Sequence, residues 1–174
     1  MEIKSKACCV FGHRKIEEKE KLEEKLSEIF ERLISCDQVD TFYVGSRSEF
    51  DALCRQVLSD KKKEHPYIKR IYVRAEYPDI SEDYKKHLLK DCDETYFPEK
   101  IRSAGRAVYV ERNFKMIDKS DYCVILFKDT YLPPKRKHSN KDLTEYQAKS
   151  GTGLAYKYAV QKNKTIINLA QETL

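Results

Sequence analysis

Residues 6–14 read Lys-Ala-Cys-Cys-Val-Phe-Gly-His-Arg, a short apolar run that stops on a glycine and is followed by two polar side chains. A run that is apolar at successive positions, instead of alternating, marks a strand buried on both faces, as in a parallel sheet. The glycine at its end marks a turn. In open parallel sheets the residues just beyond the strand ends are the ones that meet ligands.

The same grammar recurs outward along the chain. In residues 17–35, Leu22, Leu26, Ile29, Phe30 and Leu33 fall on one face of a helix, and Glu and Lys fill the other. The charge run there is most simply that helix's solvated face, with favourable Glu-to-Lys pairs. Val39–Val44 is a second strand, closed by Gly45, and Phe50, Leu53, Cys54, Val57 and Leu58 mark a second amphipathic helix. Ile68–Ala75 is a third strand. Residues 76–104 read as an irregular, packed loop, punctuated by Pro78 and Pro98 and carrying Tyr77, Tyr84, Tyr96 and Phe97. Helical spacing returns over 106–119, before the most apolar strand of all, Tyr122–Phe127. A polar stretch follows, then Ser150-Gly151-Thr152-Gly153, a helix to about Lys162 and a last strand at Thr165–Leu169. Strands alternating with helices predict an α/β fold: one three-layer domain over residues 1–174, with a mainly parallel five-stranded sheet and right-handed crossovers.

Composition excludes several classes. With 40% hydrophobic residues, 12 Tyr and 7 Phe, the chain can bury a core, and 5 Gly and 5 Pro exclude a collagen-like or low-complexity sequence. Charged residues reach 36%, yet the net charge is only +5. That near balance describes a charged surface and disfavours nucleic acid as a partner. No apolar run approaches the ~18 residues that span a bilayer, and Met1–Cys9 has no signal-peptide core, so no membrane association and a cytoplasmic location are expected. The six cysteines then read as free thiols, mostly buried. Without a C-x-x-C pair, and with four scattered histidines, no metal site and no cofactor are expected.

The unusual residues gather at the predicted strand ends. Gly12, His13 and Arg14 follow the first strand, and Gly45, Ser46 and, a turn later, Asp51 follow the second. Arg112 and Asn113 lie inside the fourth helix, and Ser150, Gly151, Thr152 and Gly153 open the last one. Glycine turns and a helix N-terminus offer free N–H groups to an anion. Arginines offer bidentate donors for phosphate or carboxylate, and Asp51 an acceptor for a sugar hydroxyl. Together they describe a pocket for a nucleotide-sized ligand.

Four stretches carry a family resemblance: C-C-V-F-G-H-R, F-Y-V-G-S-R-S-E-F-D, E-R-N-F-K-M-I-D-K-S-D-Y-C-V-I-L-F and S-G-T-G-L-A-Y-K-Y-A-V-Q-K-N-K-T-I-I-N-L. In this order they resemble the SLOG superfamily, and within it the YpsA-like branch. The resemblance runs from about Ala7 to Leu169, leaving out 128–149. It implies a Rossmann-like fold related to the DprA and LOG proteins, with a nucleotide-derived ligand at the carboxyl edge of the sheet. It also makes a homodimer compatible with the fold, since relatives often pair. Two departures stand out. Glu49 occupies a position where the family usually has a further glycine. LOG-type phosphoribohydrolases carry Gly-Gly-x-Gly-Thr-x-x-Glu, whereas this chain keeps Gly-Thr and lacks the Glu that assists glycosidic cleavage.

Each candidate also has a plainer reading. His13 can simply close a turn, and Arg14 can pair with a nearby Glu. Ser48-x-x-Asp51 is a capping-box pattern, and Ser150–Gly153 an ordinary helix start. Asp118 and Asp121 fit a helix-to-strand turn. The basic cluster Pro133–His138, within 128–149, fits a solvated loop, a lid over a phosphate, or a nucleic-acid contact. Three functions are then weighed: a nucleotide-derived-ligand binding module; an enzyme cleaving or transferring an N-glycosidic bond, with Asp51 or Glu111 as its carboxylate; and, more weakly, DprA-like DNA binding.

Overall fold

The run at Lys6–Gly12 forms β1, the strand on which the rest is assembled. Cys8 and Val10 belong to one hydrophobic core and Cys9 and Phe11 to another, so β1 is buried on both faces. The structure is a computed structural model and describes residues 4–45, 48–99, 101, 105, 107–130 and 151–171. After β1 come α1 (Lys19–Ser35), β2 (Val39–Val44), α2 (Glu49–Glu64), β3 (Lys69–Val73), α3 (Glu82–Leu88) and β4 (Glu94–Tyr96). Then follow α4 (Ala107–Asp118), β5 (Tyr122–Leu126), α5 (Gly151–Gln161) and β6 (Thr165–Asn168).

The strand order is β4-β3-β2-β1-β5-β6, and every neighbouring pair is parallel. The chain lays down four strands in one direction from β1, then returns through α4 to place β5 and β6 on its other side. The order reverses between β1 and β5, so a crevice is expected beyond their carboxyl ends. Helices α1 and α2 pack together over one face, with Leu22, Leu26, Ile29, Phe30 and Leu33 buried as their spacing predicts. On the other face α4 and α5 pack together, and Met116, Ile117, Ala155 and Ala159 are buried. The result is the Rossmann-like three-layer arrangement.

Among the described residues the sheet has six strands, not five. The segment 76–104, read as irregular, contains α3 and the edge strand β4. Neither has a hydrophobic pattern strong enough to see: α3 buries only Leu88, and β4 is Glu-Thr-Tyr with no fully buried residue. Polar side chains hold β4 in place instead. The Arg70 backbone N–H and Nε donate to Asp93 Oδ2 at 2.8 and 3.1 Å, Nη2 donates to Oδ1 at 3.2 Å, and Asp93 N–H donates back to Arg70 O at 2.8 Å. Thr95 Oγ1 donates to Tyr72 O at 2.9 Å.

All six cysteines are free; five are buried and Cys36 is exposed. Among the described residues, no helix is long and apolar enough to cross a membrane.

One contact fixes where α2 begins. Phe50, fully buried, lies against Gly12, and a Cβ on Gly12 would overlap its ring. Gly12→Ala should therefore destabilise by about 1–3 kcal/mol, the cost of overpacking a filled core. Gly151, where a Cβ would meet no described atom within 4 Å, provides the comparison: Gly151→Ala should leave the urea midpoint unchanged or slightly higher. Equal midpoints for the two variants would show that the Phe50–Gly12 contact carries no such load.

Candidate functional site

At the reversal point, β1 ends on Gly12 and the next residue, His13, is 2% exposed. His13 Nε2 accepts a hydrogen bond from Lys128 N–H at 2.8 Å, joining the residue after β1 to the backbone just beyond β5. An accepting Nε2 requires the neutral ring with its proton on Nδ1. Burial holds the imidazole in that state, with Lys128 adding to it, and its pKa falls to about 4. The Phe127 ring lies 5.9 Å from His13 and stacks at 5.1 Å on Tyr156 of α5. A row of rings thus runs from the end of β1 to α5.

At the end of β2 three predicted residues come together. Arg112 enters from α4, 5% exposed, and its guanidinium lies against Gly45: a Cβ there would sit 2.8 Å from Cζ and Nη2. Gly45 is therefore explained by making room for Arg112. Among the described glycines only Gly105 has positive φ, so neither Gly12 nor Gly45 is needed for a left-handed turn. Arg112 Nε donates to Asn113 Oδ1 at 3.2 Å, Nη1 makes a long 3.5 Å contact with Val73 O at the end of β3, and the guanidinium lies over the Tyr109 ring. Arg55 Nη1 donates to Gly45 O at 2.7 Å.

Asp51, 6% exposed, is the acid of this cluster. Desolvation pushes its carboxyl upward, and the Arg112 charge, Ser48 and Arg55 oppose the rise. The capping reading is correct too: Ser48 is the N-cap of α2 and accepts from Asp51 N–H at 2.8 Å. Asp51 Oδ1 is nonetheless buried with no hydrogen-bond partner among the described residues. An acceptor left so in a low-dielectric site costs ~1–3 kcal/mol unless something donates to it.

Glu49 forms a latch. Its Oε2 accepts from Ile16 N–H at 3.0 Å, its Oε1 pairs with Lys15 Nζ at 2.9 Å, and its own N–H donates to Arg14 O at 2.9 Å. The loop after β1 is thereby tied to the start of α2. Arg14 itself is exposed, as is Lys128.

Gly151, Thr152 and Gly153 form the first turn of α5, which contains no acidic residue. Gly151 is exposed and Thr152 buried. Ser46, Ser150 and the cluster Pro133–His138 lie outside the described residues. Glu111 is half-buried on α4, beside Arg112 in sequence. Asp121 is structural as its plainer reading held: it accepts from Ala7 N–H at 3.0 Å and donates its own N–H to Ala7 O at 2.8 Å. Asp118 accepts from Tyr158 Oη at 2.8 Å. Sequence reasoning missed Arg55 and Lys128, whose contributions run through backbone atoms that no motif records.

One group of metal-ligating side chains converges among the described residues: Glu31, Glu64 and His65, with donor atoms within 4.8 Å of one another. The ammonium of Lys61 already lies 2.9 Å from Glu31 and 3.6 Å from Glu64. Ser35, Lys61 and His65 together pull the Glu31 carboxyl down to about 2. The cluster is satisfied as an ion-pair network joining α1 to the end of α2.

Comparison with known proteins bears on the fold. No family model matches the chain, and no curated protein matches it. Among solved structures, DNA processing protein A from Helicobacter pylori, described for its single-stranded DNA binding mode, superposes with a TM-score of 0.58 at 14% identity. The match covers 92% of this chain and 63% of that one. The shared feature is the Rossmann-like fold. The YpsA-like assignment receives no support from these matches.

The neutral His13 has a consequence in acid. Its folded pKa is about 4 against an ordinary 6.5. Between those values the unfolded chain takes up a proton that the folded protein refuses. Stability from this group is complete above pH ~6.5 and falls as pH drops toward 4. His13→Gln, whose side-chain oxygen can still accept from Lys128 N–H, should flatten that part of the urea-midpoint profile. An unchanged slope in the variant would assign the acid sensitivity to other groups.

Proposed function

We propose that the protein is a binding module for a nucleotide or nucleotide-derived ligand, of the SLOG type and nearest its YpsA-like branch, with its site at the carboxyl ends of β1, β2 and β5. The observation that carries this reading is Asp51: a buried carboxylate beside a buried arginine at the mouth of a parallel sheet, with Oδ1 left for a donor that the described residues do not supply. A sugar or base supplies such donors. Phosphate is assigned to the first turn of α5, where Gly151, Thr152 and Gly153 combine helix-terminal N–H groups with an absence of acidic side chains. The N-terminus of α2 suits it less, because Glu49 and Asp51 occupy that turn. Exposed Arg14 and Lys128 add positive charge near the reversal point.

A second reading is single-stranded DNA binding, favoured by the fold shared with DNA processing protein A. That similarity weakens the case against nucleic acid made from net charge alone. DNA binding would show as an affinity for an oligothymidine that falls steeply with salt, because phosphate contacts release counterions.

A thermal-shift panel of nucleoside mono- and diphosphates, cyclic nucleotides, NAD and ADP-ribose tests the first reading. At least one should raise the melting temperature, since a ligand bound only by the folded state stabilises it. In Gly151→Val the shift should disappear while the ligand-free melting temperature stays near that of the parent. A flat response across the panel, together with tight, salt-sensitive oligothymidine binding, would replace this reading with the second.

A further inference from the structure

We infer that Asp51 receives a neutral hydrogen-bond donor of the ligand, and that Arg112 serves as the counter-charge of Asp51 and not as a phosphate clamp. The inference rests on the ligand-binding reading above and names which part of the ligand this end of the site takes.

The argument begins with what Arg112 already does. Its guanidinium fills the space that Gly45 leaves, reaches the Val73 carbonyl, donates to Asn113 and covers the Tyr109 ring. It also opposes the charge of Asp51. An arginine that grips phosphate presents a free planar edge to it. This one is 5% exposed and held by the ends of β2 and β3.

The charges lead to the same conclusion. Asp51 and Arg112 cancel, so the pair exerts no net pull on a phosphate. A dianion brought beside the Asp51 carboxylate would face direct repulsion in a poorly screened environment. A cationic ligand group is disfavoured in turn, since Arg112 and Arg55 both act on Asp51. What remains for Oδ1 is an uncharged O–H or N–H. A sugar hydroxyl and a nucleobase N–H supply the same chemistry, and experiment separates them.

Sites built around a buried acceptor reject ligands lacking the matching donor far more strongly than apolar pockets reject a missing methylene. Calorimetric titration of the parent protein with AMP and GMP, their dideoxy counterparts, IMP and inorganic phosphate therefore gives the test. A loss of about tenfold or more on removing the sugar hydroxyls assigns the donor to the sugar. A comparable loss on changing the base, with dideoxy forms binding normally, assigns it to the base. Either result supports the inference when Asp51→Asn also weakens the preferred nucleotide by about tenfold or more. That substitution keeps the side chain's shape, replaces an acceptor by a donor and leaves the Arg112 charge unbalanced. Inorganic phosphate should bind the variant at least as well as the parent.

If a nucleotide binds but is indifferent to hydroxyls, base and Asp51→Asn alike, the inference fails while the ligand-binding reading stands. Tighter nucleotide binding by Asp51→Asn would place phosphate on Arg112 and overturn it directly. No binding by any probe overturns both.

Discussion

The site depends on the seating of Phe50 against Gly12. That contact sets the height at which α2 starts relative to the end of β1. Because Asp51 follows Phe50 immediately, the same contact carries a carboxylate into the protein's interior. Burying an ionisable acid there is costly unless a counter-charge is present. Arg112 supplies it from the opposite face of the sheet, its guanidinium filling the space beside Gly45. Two glycines thus have distinct reasons to be glycine, one for a ring and one for a guanidinium, and neither reason is a turn. Without Phe50 in place, α2 would lose the anchor that holds Asp51 opposite Arg112.

The two helix starts at this edge differ in character. That of α2 is closed: Ser48 caps Asp51 N–H, Glu49 gives its N–H to the Arg14 carbonyl, and the Glu49 carboxylate holds the loop after β1. Its dipole is spent on the protein's own acids, which is the favourable arrangement for a helix N-terminus. The start of α5 has no acid in its first turn, and nothing among the described residues crowds Gly151. A ligand spanning the reversal point would therefore meet an asymmetric site, with a neutral donor toward α2 and an anion toward α5. Glu49 fits this division, since it commits the α2 end to structure.

Much of the architecture was legible because buried parallel strands and amphipathic helices carry strong patterns. Val39–Val44 forms β2 over the span its composition marks, and the apolar stripe of residues 17–35 is the buried face of α1. β4 was not legible, because its place in the sheet is secured by Asp93, Arg70 and Thr95 and not by apolar alternation. The candidate site was readable as a set of residue types at strand ends, but their division of labour was not. Gly45 and Arg112 lie far apart in sequence and explain each other only through contact. Lys128 and Arg55 act through a backbone N–H and toward a backbone carbonyl, so nothing in their identities announces them.

The distribution of charge bears on the choice between a small ligand and a polymer. Affinity for a nucleic-acid backbone grows with the number of cations free to neutralise phosphates. Around the loop after β1 several cations are already spent: Lys15 on Glu49 and Lys21 on Glu18, both at 2.9 Å. Lys62 and Arg70 are likewise turned toward Asp93 on the β3–β4 side. Among the described residues at this edge, a polymer would draw on Arg14 and Lys128 and would break ion pairs to recruit Lys15 or Lys21. A nucleotide needs only a few directed contacts, and the buried acceptor of Asp51 offers one that a phosphate backbone cannot use. The fold shared with a DNA-binding protein therefore leaves the two functions open at the level of topology, and the chemistry of the Asp51–Arg112 pair favours the smaller ligand.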